Sequence, residues 1–235
     1  MAIHMILFDL DGTLLPMEQT AFIRDYFDRL SRRLAPLGYD PKQLIDSIWA
    51  STADMLRNDG SRTNEEAFRR RMRAGWGERI DRDSPHFDRF YREDFDEVRA
   101  SCGYNPRAAE TVRAIQGMGY RVALATNPLF PAMATECRVR WTGLDPSDFE
   151  LITTYENTGY CKPNLDYYRD VCARLDVSPT ECLMVGNDVT EDMIAESLGM
   201  KVFLLTDCLL NKDGADISHY SRGSFEELLA YIRGL

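Results

Sequence analysis

Residues 5–13 read MILFDLDGT, and the rest of the chain is organised around this stretch. Its first four residues are apolar, which predicts a strand buried on both faces, as in a parallel sheet covered by helices. Asp9 and Asp11 follow, with one apolar residue between them. Side chains two residues apart on a strand point the same way, so both carboxylates are expected at the strand end where open α/β sheets bind ligands. The pair predicts a metal site, or a nucleophile beside an acid/base, unless it is only an Asp-X-Asp-Gly turn.

Composition limits the classes of function. The formal net charge is −10, which argues against a general nucleic-acid or anionic-membrane binder. A length of 235 residues allows one sizeable core, or a core with a smaller inserted domain. No stretch approaches the length of a transmembrane helix. An acidic protein that binds an anionic substrate needs a local cation, and a divalent metal is the simplest candidate.

The cysteines and the N-terminus predict a cytoplasmic location. The six cysteines show no C-x-x-C or zinc spacing, so we expect reduced thiols. The N-terminal apolar run is interrupted by Asp9 and Asp11 too early for a signal peptide.

Hydrophobic periodicity divides the chain into two parts. Residues 16–103 read as four helices without a convincing strand. From residue 105 onward, helical segments alternate with expected strands at 121–126, 149–153, 181–185 and 201–205, which is typical of βαβ units. We therefore predict an α/β fold: a doubly wound, parallel-sheet (Rossmann-like) core of residues 1–15 and 104–235, with an all-helical cap at 16–103 inserted over the strand ends.

Three more polar positions follow expected strands. They are Thr126 with Asn127, Lys162 in a loop, and Asp188 with Asp192. Taken singly, these could be a helix cap, a solvated lysine and acidic residues at a helix N-terminus. Because all of them lie at the C-terminal ends of strands in one sheet, they predict a shared site. A cluster of carboxylates with a lysine and hydroxyl or amide donors suits phosphoryl transfer with magnesium.

These residues, in this order, resemble the haloacid dehalogenase superfamily of hydrolases, in the branch that acts on phosphate esters. The four motifs of that family are matched by residues 9–13, by Thr126, by Lys162 with Pro163, and by Asp188 with Asp192. The helical segment 16–103 matches the position of a family cap between the first and second motifs. The resemblance implies a magnesium-dependent phosphatase for a small phosphorylated metabolite. The net charge of −10 predicts no nucleic-acid or membrane partner, and the oligomeric state is left open.

The resemblance also implies the catalytic roles. Asp9 would be the nucleophile and form an aspartyl phosphate. Asp11 would protonate the leaving group and later activate water, and its backbone carbonyl would bind the metal. Asp9 and Asp188 would ligate magnesium through their carboxylates, with Asp192 supporting the metal shell.

The phosphate would be bound by three further residues. Thr126 and Asn127 would donate hydrogen bonds to the phosphoryl oxygens. Lys162 would pair with the phosphate and with Asp9, which offsets the repulsion between the anions.

Other activities within the family remain as alternatives. Dehalogenase members lack an acid at the position of Asp11, and phosphonate-cleaving members need a cap lysine, for which the only candidate is Lys42 beside a turn. A phosphomutase of a sugar phosphate shares every core motif and stays the main alternative. A catalytically silent binding protein is the non-enzyme alternative, and the intact motifs speak against it.

The sequence does not rank the residues of the predicted cap that would contact the substrate. Arg57, Arg62, Trp49 and Trp76 are equal candidates for substrate contact. The basic run at residues 69–73 is interpreted as a solvated helix face rather than a nucleic-acid patch.

Overall fold

The computed structural model describes residues 2–235 and contains one sheet of five parallel strands in the order β2-β1-β3-β4-β5. The strands are β1 Met5–Phe8, β2 Arg121–Leu124, β3 Cys182–Gly186, β4 Lys201–Leu205 and β5 Ser221–Gly223. The strand that opens the chain thus lies between β2 and β3, which come much later in the sequence. This arrangement confirms the predicted doubly wound fold.

The register of β2, β1 and β3 brings their C-terminal ends level. Phe8 pairs with Leu124 on one side and with Val185 on the other. Strand order runs from β1 toward β2 in one direction and toward β3 in the other, and such a switch point leaves a crevice at the carboxyl ends. The residues that follow Phe8, Leu124 and Val185 are therefore placed around one crevice.

Alternate residues of the strands face two separate cores. Ile6 and Phe8 pack into one core with helical side chains such as Val112 and Leu228. Met5 and Leu7 pack into the other with residues such as Val171. Side chains of a strand alternate between its two faces, so the apolar run is buried throughout because helices cover both faces.

In the described residues, 2–235, eight α-helices surround the sheet or lie in the segment between β1 and β2. They are α1 Gln19–Leu34, α2 Pro41–Leu56, α3 Asn64–Trp76, α4 Arg79–Glu93, α5 Pro106–Gly117, α6 Ala132–Trp141, α7 Leu165–Leu175 and α8 Phe225–Arg233. Within residues 2–235, no helix is both long and apolar enough to cross a membrane.

The inserted segment, residues 16–103, contains α1 to α4 and a 3-10 helix at Phe95–Ser101. Local signals start its helices: Asp40 caps α2 with Pro41 in the first turn, and Thr63 forms a capping box with Glu66 at α3. The division into a core and a separate cap domain at these boundaries stays a prediction.

One loop of the inserted segment is bonded directly to the sheet-bearing part of the chain. The backbone N–H groups of Gly60, Asn64 and Glu65 donate to carbonyls of Gly159, Thr158 and Tyr155 at 2.8–3.1 Å. The Asn64 side-chain amide is fully buried and lies 3.3 Å from the carbonyl oxygens of Pro128 and Tyr160. We call residues 58–65 the clamp, because they hold the inserted segment against the loops that precede Lys162 and follow Asn127.

The prediction of a strand at 149–153 is wrong. This segment runs beside β2 and shares backbone hydrogen bonds with it, but only Ile152 pairs in register, with Leu124. The Thr153 hydroxyl donates to the carbonyl of Thr126 at 2.7 Å. A side chain therefore occupies the acceptor that a longer strand would bond through its backbone. The short edge strand β5 was not predicted.

Two helix boundaries also differ from expectation. The sequence predicts the fourth helix of the inserted segment from about Pro85 to Val98, but α4 begins six residues earlier, at Arg79, and Pro85 lies inside it. One local and one tertiary contact stabilise this extra turn and a half: Arg79 pairs with Asp83 one turn later at 3.1 Å and stacks 4.1 Å from the centre of the Tyr39 ring. The sequence also predicts a helix from Glu191 to Leu198, where the structure has a 3-10 helix, Met193–Leu198.

Candidate active site

Asp9 lies directly after β1 and is 7% exposed. Its backbone N–H donates to the carbonyl of Val185 at 2.9 Å, which continues the sheet bonding into the first motif. One carboxylate oxygen, Oδ1, accepts from Lys162 Nζ at 2.9 Å, and Oδ2 lies 3.1 Å from the Thr13 hydroxyl. The carboxylate is therefore fixed in place by a cation and a hydroxyl from two different loops.

Lys162 is buried and bridges two carboxylates. Its Nζ atom lies 2.9 Å from Asp9 and 2.6 Å from Asp192. Burial alone would lower the pKa of Lys162, but the charges of Asp192 and Asp9 raise it well above its usual value. The lysine is thus a permanent cation inside an otherwise anionic cluster.

Asp192 links this cation to the loop that follows β3. Its Oδ2 accepts from the backbone N–H of Asp188 at 3.0 Å, and burial raises the pKa of the Asp192 carboxyl although Lys162 opposes that rise. A Cβ atom on Gly186 would lie 2.1 Å from Asp192 Oδ2. The carboxylate can therefore approach the strand end only because residue 186 is a glycine.

Asp188 starts a tight turn and is partly exposed. Its Oδ1 accepts from the backbone N–H groups of Thr190 at 2.7 Å and Glu191 at 2.9 Å. These bonds orient the Asp188 carboxylate at the mouth of the crevice.

Asp11 is paired with an arginine from α6. The Arg138 guanidinium donates to Asp11 Oδ2, while Asp11 Oδ1 is buried and has no hydrogen-bond partner within residues 2–235. Arg138 is 1% exposed, bonds to the Ala134 carbonyl at 3.3 Å, and lies 4.5 Å from the centre of the Phe130 ring. Burial raises the pKa of Asp11, and the adjacent guanidinium opposes that rise.

The turn after Asp11 depends on Gly12. Its φ is +84°, and a Cβ atom there would lie 2.3 Å from the Asn187 side-chain amide. The close approach lets Asn187 Oδ1 lie 3.0 Å from the Thr13 hydroxyl. The first and fourth motifs are thereby joined by one hydrogen bond.

Thr126 and Asn127 follow β2 at the same edge of the sheet. Thr126 is buried, and its carbonyl accepts from the hydroxyls of Thr153 at 2.7 Å and Tyr167 at 2.8 Å. The Asn127 amide nitrogen donates to Glu191 at 3.0 Å, whereas its Oδ1 is a second buried oxygen without a partner in the described part of the chain. Burial raises the pKa of Glu191.

The structure brings the sequence-predicted residues to one edge of the sheet. Direct contacts join Lys162 to Asp9 and Asp192, and Asp192 to Asp188. Asp11 and Asn127 make their contacts with residues that the sequence did not single out.

Sequence reasoning missed Arg138, Asn187 and Glu191. Arg138 carried a usable signal, because it lies four residues after Ala134 and three before Trp141, on the buried stripe of α6. A charged residue at such a position needs a buried partner of opposite charge.

The residues at this edge fit magnesium by their chemistry. Within residues 2–235, no group of three or more His, Cys, Asp or Glu side chains is arranged as a metal cluster. Magnesium, however, is usually held by one or two carboxylates together with waters and substrate phosphate. Asp9 and Asp188 supply two carboxylates and Asp11 a backbone carbonyl, all oxygen donors that a hard cation prefers. The orphaned buried oxygens of Asp11 and Asn127 also mark a site that lacks a polar partner.

Comparison with known proteins finds a matching family profile and related proteins. The sequence profile of the haloacid dehalogenase-like hydrolases matches residues 3–196. The pyrophosphatase PpaX of Bacillus cereus is 25% identical over 201 residues, which cover 86% of this chain and 82% of that protein.

Two solved structures share the fold. A 2-haloacid dehalogenase from Pseudomonas syringae superposes with a TM-score of 0.65 at 19% identity, covering 99% of this chain and 98% of the other. A phosphatase of the haloacid dehalogenase type from Thermococcus onnurineus gives a TM-score of 0.56 at 22% identity, covering 100% and 99%.

The parallel sheet and the carboxylate–lysine cluster at its carboxyl edge define a Rossmann-like hydrolase. The chain belongs to the haloacid dehalogenase-like hydrolase family. As a member of this family it is a hydrolase, and phosphatases are among its relatives.

Proposed function

We propose that the protein is a magnesium-dependent phosphatase that hydrolyses a small phosphorylated metabolite through an aspartyl phosphate on Asp9. The observation that carries this proposal is the environment of Asp9. Lys162 and Thr13 each hold one oxygen of its carboxylate at the end of β1. A nucleophile fixed in this way meets an incoming phosphorus without losing further conformational entropy.

In the first proposed step, an Asp9 oxygen attacks phosphorus and the bond from phosphorus to the ester oxygen breaks. The leaving oxygen takes a proton from Asp11. That proton resides on Oδ1, because Oδ2 faces the N–H groups of Arg138, which cannot accept a proton. Oδ1, which is buried and has no hydrogen-bond partner among the described residues, then donates its proton to the leaving oxygen.

In the second proposed step, Asp11 Oδ1 takes a proton from water as the water attacks the phosphorus of the aspartyl phosphate. The phosphorus–oxygen bond to Asp9 breaks, inorganic phosphate leaves, and Asp11 is again protonated for the next cycle. Arg138 is thus a positioning residue that leaves the same oxygen of Asp11 free in both steps.

The remaining proposed roles are electrostatic. Lys162, Thr126 and Asn127 would stabilise the charge on the phosphoryl oxygens. Asp9, Asp188 and the Asp11 carbonyl would hold magnesium, with Asp192 supporting Asp188 through its backbone N–H. When bound, magnesium would supply further positive charge against the phosphoryl group.

The inserted segment at 16–103 is proposed to act as the cap. Its clamp bonds to the loops around Cys161 and Pro128, next to Lys162 and Asn127. A cap that closes there would exclude bulk water and contact the leaving group. Opening would require these clamp bonds to break.

The proposal is tested by measuring phosphate release from acetyl phosphate and from an aryl phosphate. We expect release to require magnesium, to stop in EDTA and to return when excess magnesium is added. Acid quenching during turnover should trap phosphate on the peptide that contains Asp9. Full activity in EDTA would refute the metal assignment, and isomerised sugar phosphate without phosphate release would favour the mutase alternative.

A further inference from the structure

A cavity of about 260 Å³ lies between the inserted segment and the sheet-bearing part of the chain. Helices α1 to α4 form one wall, and residues 129–133 and 155–156 form the other. Most of the lining is apolar, including Tyr26, Phe27, Trp49, Phe68, Met72 and Phe130. Its size lies just below the range of about 300–1,000 Å³ that is usual for small-molecule sites.

The cavity adjoins the candidate active site at two places. Leu129 and Phe130 line it and come two and three residues after Asn127. Phe130 also contacts Arg138, whose guanidinium lies 4.5 Å from the centre of the Phe130 ring and pairs with Asp11. Phe130 and Arg138 are therefore the side chains that separate this cavity from Asp11.

Leu129 and Phe68, both in the cavity wall, also pack in one cluster with Cys161. Cys161 directly precedes Lys162 in the chain. The cavity is thus bordered by the neighbours of the proposed phosphate-binding residues in two motifs.

The charges of the lining disfavour an anion. Arg69 is its one cation among residues 2–235, against the carboxylates of Glu65, Asp88 and Glu156. Arg69 already pairs with Glu65 at 2.8 Å. A second phosphate in this cavity would meet more negative than positive charge and no free cation.

The polar groups of the lining are largely engaged with each other. The hydroxyls of Tyr26 and Tyr91 are 2.9 Å apart, and the Thr52 hydroxyl donates to the Ile48 carbonyl at 3.0 Å. The Glu156 carboxylate accepts from the backbone N–H of Ala132 at 2.9 Å. A sugar placed here would bury several hydroxyls with few partners, which is costly, whereas an apolar group needs none.

We propose that this cavity binds the organic group of the phosphate ester, and that this group is an uncharged aromatic or branched aliphatic group instead of a sugar or a second phosphate. This inference rests on the proposed phosphatase function and adds the class of substrate. It also separates the protein from a sugar phosphomutase, whose bisphosphate intermediate would need a cation in the same place.

The test compares two primary alkyl phosphates, 2-phenylethyl phosphate and ribose 5-phosphate, whose leaving groups are chemically similar. We expect kcat/KM to be at least about tenfold higher for 2-phenylethyl phosphate, since a well-matched apolar pocket discriminates by this order. Acetyl phosphate, which is too small to fill the cavity, reports on the core chemistry alone. 2-Phenylethanol should inhibit competitively where glycerol does not.

Thr52→Phe provides the matched structural test, because Thr52 lines the cavity and its neighbour Ala53 does not. Thr52→Phe should fill part of the cavity and lower kcat/KM for 2-phenylethyl phosphate by at least about tenfold. Its kcat/KM for acetyl phosphate should stay within about twofold of the wild-type value. In Ala53→Phe, on the same helix, kcat/KM for both substrates should stay within about twofold of the wild-type value.

The outcomes separate this inference from the proposed function. If the wild-type protein hydrolyses none of the three compounds, the phosphatase proposal fails. If acetyl phosphate is hydrolysed but ribose 5-phosphate equals or exceeds 2-phenylethyl phosphate, the apolar assignment is overturned. If Thr52→Phe does not fold, competition by 2-phenylethanol in the wild-type protein decides, and its absence at concentrations near saturation also overturns the assignment.

Discussion

The polar cluster around Asp9 and the apolar cavity behind Phe130 share a border but are held in place by different forces. In the cluster, each charged group is fixed by a close partner, as Lys162 is by Asp9 and Asp192. In the cavity, most side chains are apolar and are held by ring packing, as Phe27 is against Trp49. Removing one partner of a buried ion pair strands the other, whereas trimming a ring at a cavity only reduces contact area.

This difference separates chemistry from specificity. The cluster comes from loops after β1, β2 and β3 and from the segment before α7, all outside the inserted segment. The cavity takes most of its lining from α1 to α4. We therefore expect changes in the cluster to reduce turnover of every substrate, and changes in the cavity to act only on substrates that fill it.

The largest effect is expected for Asp9→Asn, which keeps the volume of the side chain and removes the nucleophile. Turnover should fall by at least about 10⁴-fold for every phosphate ester. Circular dichroism and thermal unfolding should show an intact fold. Asp46→Asn, at an exposed helical position paired with Lys42, is the control and should retain full activity. A variant at position 9 with a near wild-type rate would show that another group attacks phosphorus.

Arg138→Met should give the next largest effect and should depend on the leaving group. Without the guanidinium, Asp11 loses the contact that leaves Oδ1 free, so alkyl phosphates should lose roughly 10²-fold in kcat. Aryl phosphates, whose leaving groups need little protonation, should lose much less. The measurement is kcat and KM for both substrate classes.

Arg140→Met is the matched control for Arg138, because Arg140 lies on the same helix and is exposed beside Glu136. The kcat and KM values of Arg140→Met should be unchanged for both alkyl and aryl phosphates. Equal losses for alkyl and aryl phosphates in Arg138→Met would mean that Arg138 only supports the fold. Partial recovery in Arg138→Lys would indicate that the charge matters in addition to the geometry.

Asn64→Ala tests the border between the two regions. The change removes a buried amide that lies within hydrogen-bond distance of the carbonyls of Pro128 and Tyr160. The free energy of unfolding should fall by about 1–3 kcal/mol, because those buried carbonyls lose a donor. Urea denaturation measures the loss, and Asn211→Ala in an exposed loop provides the comparison. An unchanged midpoint would show that the Asn64 side chain contributes nothing to holding the inserted segment against these loops.

The smallest effect is expected for Trp49→Ala at the cavity. Trp49 is 47% exposed, and covering roughly 40 Å² of its ring with a ligand is worth about 1 kcal/mol, so KM for 2-phenylethyl phosphate should rise about fivefold. Ribose 5-phosphate should be unaffected. Leu56 is similarly exposed on the same helix but does not line the cavity. Leu56→Ala should therefore leave KM unchanged for both substrates. A loss on both substrates would contradict the separation of specificity from chemistry.

The sequence by itself determined the core fold and which polar residues to examine. The apolar run before Asp9 predicted a strand buried on both faces, and the strand–helix alternation predicted the parallel sheet that the structure contains. Local caps such as Asp40 before Pro41 set where the helices begin. These features are encoded by neighbouring residues, so periodicity and turn chemistry are sufficient to find them.

Only the tertiary structure decided which partners these residues meet. Arg138 reaches Asp11 across 127 positions of sequence, and Asn64 reaches Tyr160 across 96. The segment at 149–153 pairs in register with β2 only at Ile152, since side chains of Gln116 and Thr153 bond the carbonyls of Asp148 and Thr126 at either end of it. The cavity exists because four helices and two distant loops enclose it. Such contacts depend on how elements pack in space, and no local pattern of residues specifies them.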